Sequence, residues 1–256
     1  MSTPRRRLAS PRPAHRARGF TLVELMVAVA IAMFLLFGLF TIFENTRTTY
    51  GNQQALAQLQ DQQRFAMQLI TSVVESGGYY SNATGDTASS ALLAVAPNFG
   101  SGQAFYGTGT AAPAPNSDTL YVRFQTASGD GIINCSGGQN TTGANHTYTN
   151  ELSVVGGQLL CTLTVDAGAP AVPVPLVNGL VNMQVWYGVN RSPPFVDYNV
   201  DTYVSAANMV NTDWSQVSAV RVLLTFTNPL AGQAGQQPTL NFERVIQVMA
   251  RAGVHT

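Results

Sequence analysis

Lysine is absent from this chain of 256 residues, so all of its 13 basic residues are arginines. Six of them lie within the first 19 residues, a segment that contains no acid. Beyond it, 13 acids exceed the seven remaining arginines, and the formal net charge is about −6. A body of that sign repels phosphate and releases few counterions from it. The composition therefore argues against direct binding of nucleic acid.

Histidine is also scarce, and the patterns of common catalytic sites are missing. His15 lies in the basic segment and His255 near the end, while His146 follows a stretch rich in Gly, Asn and Thr with no neighbouring ligand at metal-binding spacing. The sequence contains no nucleophile with its base, no phosphate-binding glycine loop and no zinc pattern. We therefore predict no enzymatic activity, no cofactor and no metal site, and a solvated loop position for His146.

One weaker metal-binding pattern is the alternation of oxygen donors at Asp197, Asn199 and Asp201. A calcium loop of the EF-hand type would continue with glycine and glutamate, where this chain has Thr202 and Asn208. A turn between strands is the favoured interpretation, and calcium binding is the alternative.

A long apolar run, residues 20–43, follows the basic segment. It has 24 residues, no proline and a single charge, Glu24. As a helix it would be about 36 Å long, enough to cross the hydrocarbon core of a membrane. The arginines before it predict a cytoplasmic amino terminus and a body on the opposite side.

Two ordinary interpretations of this run compete. A standard secretory signal has a shorter apolar region followed by a small-residue cleavage site, which this run does not match. A plain membrane anchor fits its length and charge but leaves Glu24 unexplained, because an acid in an apolar span is costly. The competing explanation of Glu24 is that it lies near the interface and reaches water.

The two cysteines, Cys135 and Cys161, both follow the apolar run. If that run carries the body across a membrane, the cysteines face an oxidising compartment, where a disulfide is favoured. It would contribute about 3.5 kcal/mol on the chain-entropy model. Two unrelated buried thiols are the alternative.

The residues from Arg18 to Val27, RGFTLVELMV, closely resemble the class III signal of type IV pilins and pseudopilins. The resemblance implies cleavage by a prepilin peptidase between Gly19 and Phe20, with methylation of the new amine on Phe20. It also implies that Glu24 neutralises the amine of a neighbouring subunit during assembly. A pair within one chain, one helical turn apart, is the competing arrangement.

The next segment, residues 44–78, is predicted to continue the helix as an amphipathic half. Apolar residues recur at helical spacing, and the pair Gly77 and Gly78 marks the end; the stripe consists of Leu56, Leu59, Ala66, Leu69, Ile70, Val73 and Val74. A continuous helix over about 21–76 is expected. The chain lacks the proline that many major pilins have here, so no kink of that kind is predicted.

Residues 79–256 are predicted to form a β domain. Alternating segments predict strands at 119–126, 180–187, 217–227 and 240–250, and two more at 151–165 around a Gly156-Gly157 turn. The stretches 81–118 and 126–150 are predicted to be loops, and the aromatic residues Trp186, Tyr187 and Trp214 to be core. The fold class is therefore α+β: one long amino-terminal helix packed on an antiparallel sheet.

Segments in this domain resemble PilW-type minor pilins in their order, among them SDTLYVRF, PLVNGLVNMQVWYGV and WSQVSAVRVLLTF. The resemblance implies a minor pilin that initiates or tips a type IV pilus. It would have a leader (1–19) that is removed, an inner-membrane anchor (20–43) and a periplasmic body that later reaches the cell surface. Its partners would be other minor and major pilins, the prepilin peptidase and the inner-membrane assembly platform. Alternatives are a minor pseudopilin of type II secretion, a membrane-tethered adhesin and a periplasmic enzyme on a signal anchor.

Overall fold

One helix dominates the amino-terminal part of the chain. The computed structural model describes residues 19–109, 117–192 and 199–251. Helix α1 spans Leu22–Glu75, 54 residues, in close agreement with the predicted range. The chain divides into two compact units, Met1–Gly51 and Asn52–Thr256, which are described in turn.

In the first unit, the described part of α1 has its apolar side chains exposed. Threonine hydroxyls bond back to the carbonyl four residues earlier; for example, Thr41 Oγ1 donates to Phe37 O at 3.0 Å and Thr46 Oγ1 to Ile42 O at 2.8 Å. Such bonds satisfy the hydroxyl without ending the helix. The helix continues unbroken as one element through Gly38 and Gly51.

In the second unit, the remaining turns of α1 bury one apolar stripe, as its helical spacing predicted. The buried residues are Leu59, Ala66, Ile70, Val73 and Val74 of the predicted stripe together with Met67, whereas Leu56 and Leu69 of that stripe are half-buried. Full burial of a large apolar side chain stabilises a fold by about 1.5–3 kcal/mol. The helix ends where Gly77 N–H bonds to Val74 O, and the following Gly78 has φ +81°, a conformation that favours glycine.

Five antiparallel strands in chain order form the first sheet. They are β1 (Phe105–Thr108), β2 (Thr119–Thr126), β3 (His146–Val155), β4 (Gln158–Val165) and β5 (Val174–Asn178). The hairpin of β3 and β4 turns at Gly156 and Gly157, both with positive φ, as predicted. Leu120, Val122 and Phe124 on β2 are fully buried.

Four further antiparallel strands form a second sheet. They are β6 (Leu180–Val189), β7 (Thr202–Ser205), β8 (Ala219–Thr227) and β9 (Thr239–Gln247), in the spatial order β7-β6-β8-β9. Tyr187 and Trp214 lie in the core with ring centroids 4.8 Å apart, as predicted, whereas Trp186 is only half-buried. Side chains from both sheets and from α1 form one core cluster.

The α+β class, with one long helix packed on antiparallel strands, is confirmed, but three details of the sequence prediction were wrong. Two sheets replace the expected single one. The predicted loop 81–118 contains β1 and a short helix α2 (Ala88–Ala91), and β3 begins inside the predicted loop 126–150. The short strands β5 and β7 were not predicted.

Candidate functional site: the amino-terminal segment and the disulfide

The predicted cleavage point lies just outside the helix. Gly19 and Phe20 have no regular secondary structure, and Phe20 is 82% exposed. Helix α1 begins two residues later, at Leu22. The bond between Gly19 and Phe20 is therefore accessible from solvent. The rest of the predicted leader, residues 1–18 with His15, lies outside the described residues.

Thr21 caps the helix and places Glu24 in its first turn. The Glu24 N–H donates to Thr21 Oγ1 at 3.2 Å, and the Leu25 N–H donates to Thr21 O at 3.2 Å. Threonine is a favoured capping residue, and an acid in the first turn complements the helix dipole. Within the described residues, the Glu24 carboxylate has no hydrogen-bond or ion-pair partner.

The helix segment around and beyond Glu24 is almost entirely apolar and is exposed. Every residue from 22 to 43 is exposed. By length and composition, α1 could cross a membrane, and none of its most apolar stretch is buried. An exposed apolar helix is unfavourable in water, because moving apolar surface out of water lowers the free energy. The helix therefore has the properties of a segment covered by lipid or by other helices.

A disulfide joins Cys135, in the connection between β2 and β3, to Cys161 on β4. The two Cα atoms are 5.8 Å apart, within the usual range for a disulfide. Both residues are buried, and the Cys135 N–H donates to Asn150 Oδ1 at 2.8 Å. The long connection is thus covalently fixed to the first sheet.

His146, expected in a loop, instead begins strand β3. Its Nδ1 lies 2.7 Å from Asp166 Oδ2, while Asp166 Oδ1 accepts the Thr147 N–H at 2.8 Å. The pair links the start of β3 to the end of β4. Its side chains remain partly exposed, at 25% and 52%. No group of three or more possible metal ligands occurs in the part of the chain that the structure describes.

Of the three residues in the calcium alternative, Asn199 and Asp201 lie within the described ranges and Asp197 lies outside them. The Asp201 carboxylate accepts the Arg191 N–H at 3.1 Å. Hydrogen bonds from the Ser192 hydroxyl and the Arg191 backbone lower the pKa of Asp201. This carboxylate therefore already closes a turn within the chain.

A feature that the sequence did not predict is the complete burial of Arg123 on β2. Its guanidinium donates to four backbone carbonyls, among them Leu93 O at 2.5 Å and Gln103 O at 2.7 Å. The Phe99 ring stacks on it, 4.6 Å from its centre. Burial lowers the pKa of Arg123 to about 10, so it stays charged at neutral pH. The arginine fixes the covering segment 92–103 to the sheet.

Two family models match the chain at separate places. The model described as Prokaryotic N-terminal methylation motif matches residues 14–40, and the model described as Type IV Pilus-assembly protein W matches residues 141–246. Together they confirm both resemblances that the sequence indicated, to the pilin signal and to the PilW type.

Individual relatives come from Thermus thermophilus. The chain is 41% identical over 61 residues to "Pilin-like protein PilA3" of that organism. The alignment covers 24% of this chain and 26% of that protein, so the chain spans about a quarter of this relative's length. The solved "Type IV-like pilin TTHA1219" aligns with a TM-score of 0.45 and 14% identity, over 75% of this chain and 98% of that one.

Proposed function

We propose, since this chain is a type IV pilin-like protein with a PilW segment, that it is a minor pilin that helps to initiate or tip a type IV pilus. A prepilin peptidase would remove residues 1–19, and residues 20–43 would hold the subunit in the inner membrane until assembly. The body would lie in the periplasm and later on the cell surface. Its partners would be other pilins and the assembly platform.

The single observation that carries this proposal is Glu24. It is the one charge in the exposed apolar segment 20–43, and it follows the predicted cleavage point by five residues. A cut after Gly19 creates a positive amine on Phe20 at the same end of the helix. In an apolar environment an unpaired charge raises the free energy, and pairing the amine with the carboxylate offsets this cost. Because the Glu24 carboxylate has no partner in the described chain, it is available to the amine of a neighbouring subunit.

The disulfide supports the proposed orientation. The arginine-rich segment precedes the apolar helix, which favours a cytoplasmic amino terminus. The Cys135–Cys161 disulfide lies beyond the helix, where an oxidising compartment is required for it to persist. Both features agree with a periplasmic body.

The proposal predicts that Glu24→Ala prevents assembly. Leaving one member of a buried ion pair uncompensated costs about 3–5 kcal/mol, which would weaken docking of a subunit by roughly 10²- to 4 × 10³-fold. The gene would be deleted in the parent bacterium, and wild-type, Glu24→Ala and Glu44→Ala copies returned separately. Glu44 is the matched control, since it is a second acid on α1. Surface pili would then be counted by electron microscopy.

We expect pili to be lost in the deletion strain, restored by wild type and by Glu44→Ala, and not restored by Glu24→Ala. Normal piliation in the deletion strain would refute an essential role in initiation. If that strain instead failed to secrete folded proteins, the minor pseudopilin of type II secretion would replace the minor pilin as the function.

A further inference from the structure

Strand β9 forms an unusually open edge. Each sheet has two edge strands, and monomeric proteins commonly shorten such strands or place proline in them to prevent pairing with other chains. Strands β1 and β7 have four residues each, and β5 has five with a proline at Pro175. Strand β9 has nine residues and neither proline nor glycine. Among the described edge strands, β9 is the one that lacks both of these protections, and its two charged residues, Glu243 and Arg244, are opposite in sign.

The register shows which backbone groups face outward from β9. At one end the Val248 N–H donates to Ser218 O, and at the other the Asn228 N–H donates to Pro238 O. The register between them is constant, so even-numbered residues of β9 bond to β8 and odd-numbered ones face away. These outward residues are Thr239, Asn241, Glu243, Val245 and Gln247. No residue that the structure describes hydrogen-bonds to their backbone groups.

We propose that the outer edge of β9 binds an extended segment of a different pilin subunit, which adds a fifth strand to the second sheet. A row of alternating N–H and C=O groups is complementary to another extended backbone, which is how strand addition gives affinity. This inference rests on the proposed function for the identity of the partner as a pilin. The pairing chemistry itself depends only on the edge.

The surface beside this edge has the composition of a protein interface. Arg221, directly opposite Val245 in the register, stacks its guanidinium 4.3 Å from the centre of the Trp186 ring. Val245 itself is 53% exposed. Tryptophan and arginine are enriched where binding energy concentrates. An added strand would extend this row of side chains.

A different chain fits the edge better than a second copy of this one. In the symmetric antiparallel register that pairs all nine residues, Glu243 lies opposite Glu243 of the other copy. Like charges directly opposite each other destabilise a strand pair. Each Glu243 also lies 3.3 Å from Arg221 Nε of its own sheet, but an ion pair this exposed offsets little of that repulsion. The remaining edges of a second copy are short or contain proline.

The test combines a cross-link with a proline substitution. In intact cells, Asn241 would be replaced by the photoreactive residue p-benzoylphenylalanine. Three versions of this protein would be compared: one with Val245 unchanged, one with Val245→Pro and one with Val245→Thr. Proline removes an outward N–H that the β8 ladder does not use, a position that edge strands tolerate. Threonine keeps the N–H and is the matched control. Formation of the Cys135–Cys161 disulfide and the thermal unfolding midpoint would verify that each variant folds.

With Val245 or Val245→Thr, we expect a cross-link to a chain that mass spectrometry identifies by its own amino-terminal methylation motif. With folded Val245→Pro, we expect that product to be lost. The proposal would be overturned if the product persisted in Val245→Pro or if no cross-link formed at all. It would also be overturned if the cross-linked product contained only this chain or a partner without the motif. The cross-link is measured in membranes as well as in sheared filaments. Absence of the protein from filaments therefore contradicts the proposed function separately.

Discussion

Replacing Arg123 by methionine is expected to lower the free energy of unfolding of the second unit by about 4 kcal/mol. Methionine fills much of the space but donates no hydrogen bond. Within the described residues, Leu93 O and Gln103 O receive bonds from the Arg123 side chain and from no other donor. A buried carbonyl such as Gln103 O costs about 1–3 kcal/mol when it is left without a donor. Leu93 O is only partly buried and costs less, and the contact with Phe99 is lost as well.

The measurement is urea unfolding of the full chain in detergent, followed by the fluorescence of Trp186 and Trp214. Arg64→Met, at an exposed position of α1, is the control and should change stability by less than about 0.5 kcal/mol. Arg123→Lys should fall between wild type and Arg123→Met, because an ammonium keeps the charge but has fewer donors. A value for Arg123→Met within about 1 kcal/mol of wild type would show that the segment 92–103 does not depend on this arginine.

Removing the disulfide is expected to cost about 3.5 kcal/mol. The bond closes a loop between positions separated by 26 residues, and opening it raises the entropy of the unfolded chain. The double variant Cys135→Ala with Cys161→Ala should therefore unfold at a lower urea concentration than the oxidised wild type. Wild type treated with reductant is the matched control, since it keeps both side chains. Equal midpoints for oxidised and reduced wild type would contradict a stabilising role.

The main helix and strands could be predicted from the sequence because each of them is determined by residues close together in the chain. Helix α1 follows from an apolar run joined to a stripe at helical spacing, and its end follows from Gly77 and Gly78. Strand β2 and the β3–β4 hairpin follow from alternation and the Gly156-Gly157 turn. Periodicity of this kind indicates which face of an element is buried.

Two of the missed strands lack a local signal. Strand β1 contains Gly107 and β5 contains Pro175, residues that are depleted in strands. Their place is fixed by pairing with β2 and β4, which a sequence pattern does not reveal. The division into two sheets likewise depends on the long-range pairing of β6 with β8.

Arg123 illustrates why the candidate site was only partly predictable. Alternation along β2 assigns Leu120, Val122 and Phe124 to the core and therefore assigns Arg123 to the opposite face. That face is covered by a segment some 20 to 31 residues earlier in the chain. In contrast, Gly19, Phe20 and Glu24 were selected by a contiguous motif, and the matching methylation model covers the same residues.

The most direct test of the minor-pilin account is mass spectrometry of the amino-terminal peptide of this protein from filaments sheared off intact cells. The account predicts a peptide that begins at Phe20 and carries one added methyl group. A chain that retains the leader, begins at another residue, or is absent from the filaments while abundant in the membrane would contradict it.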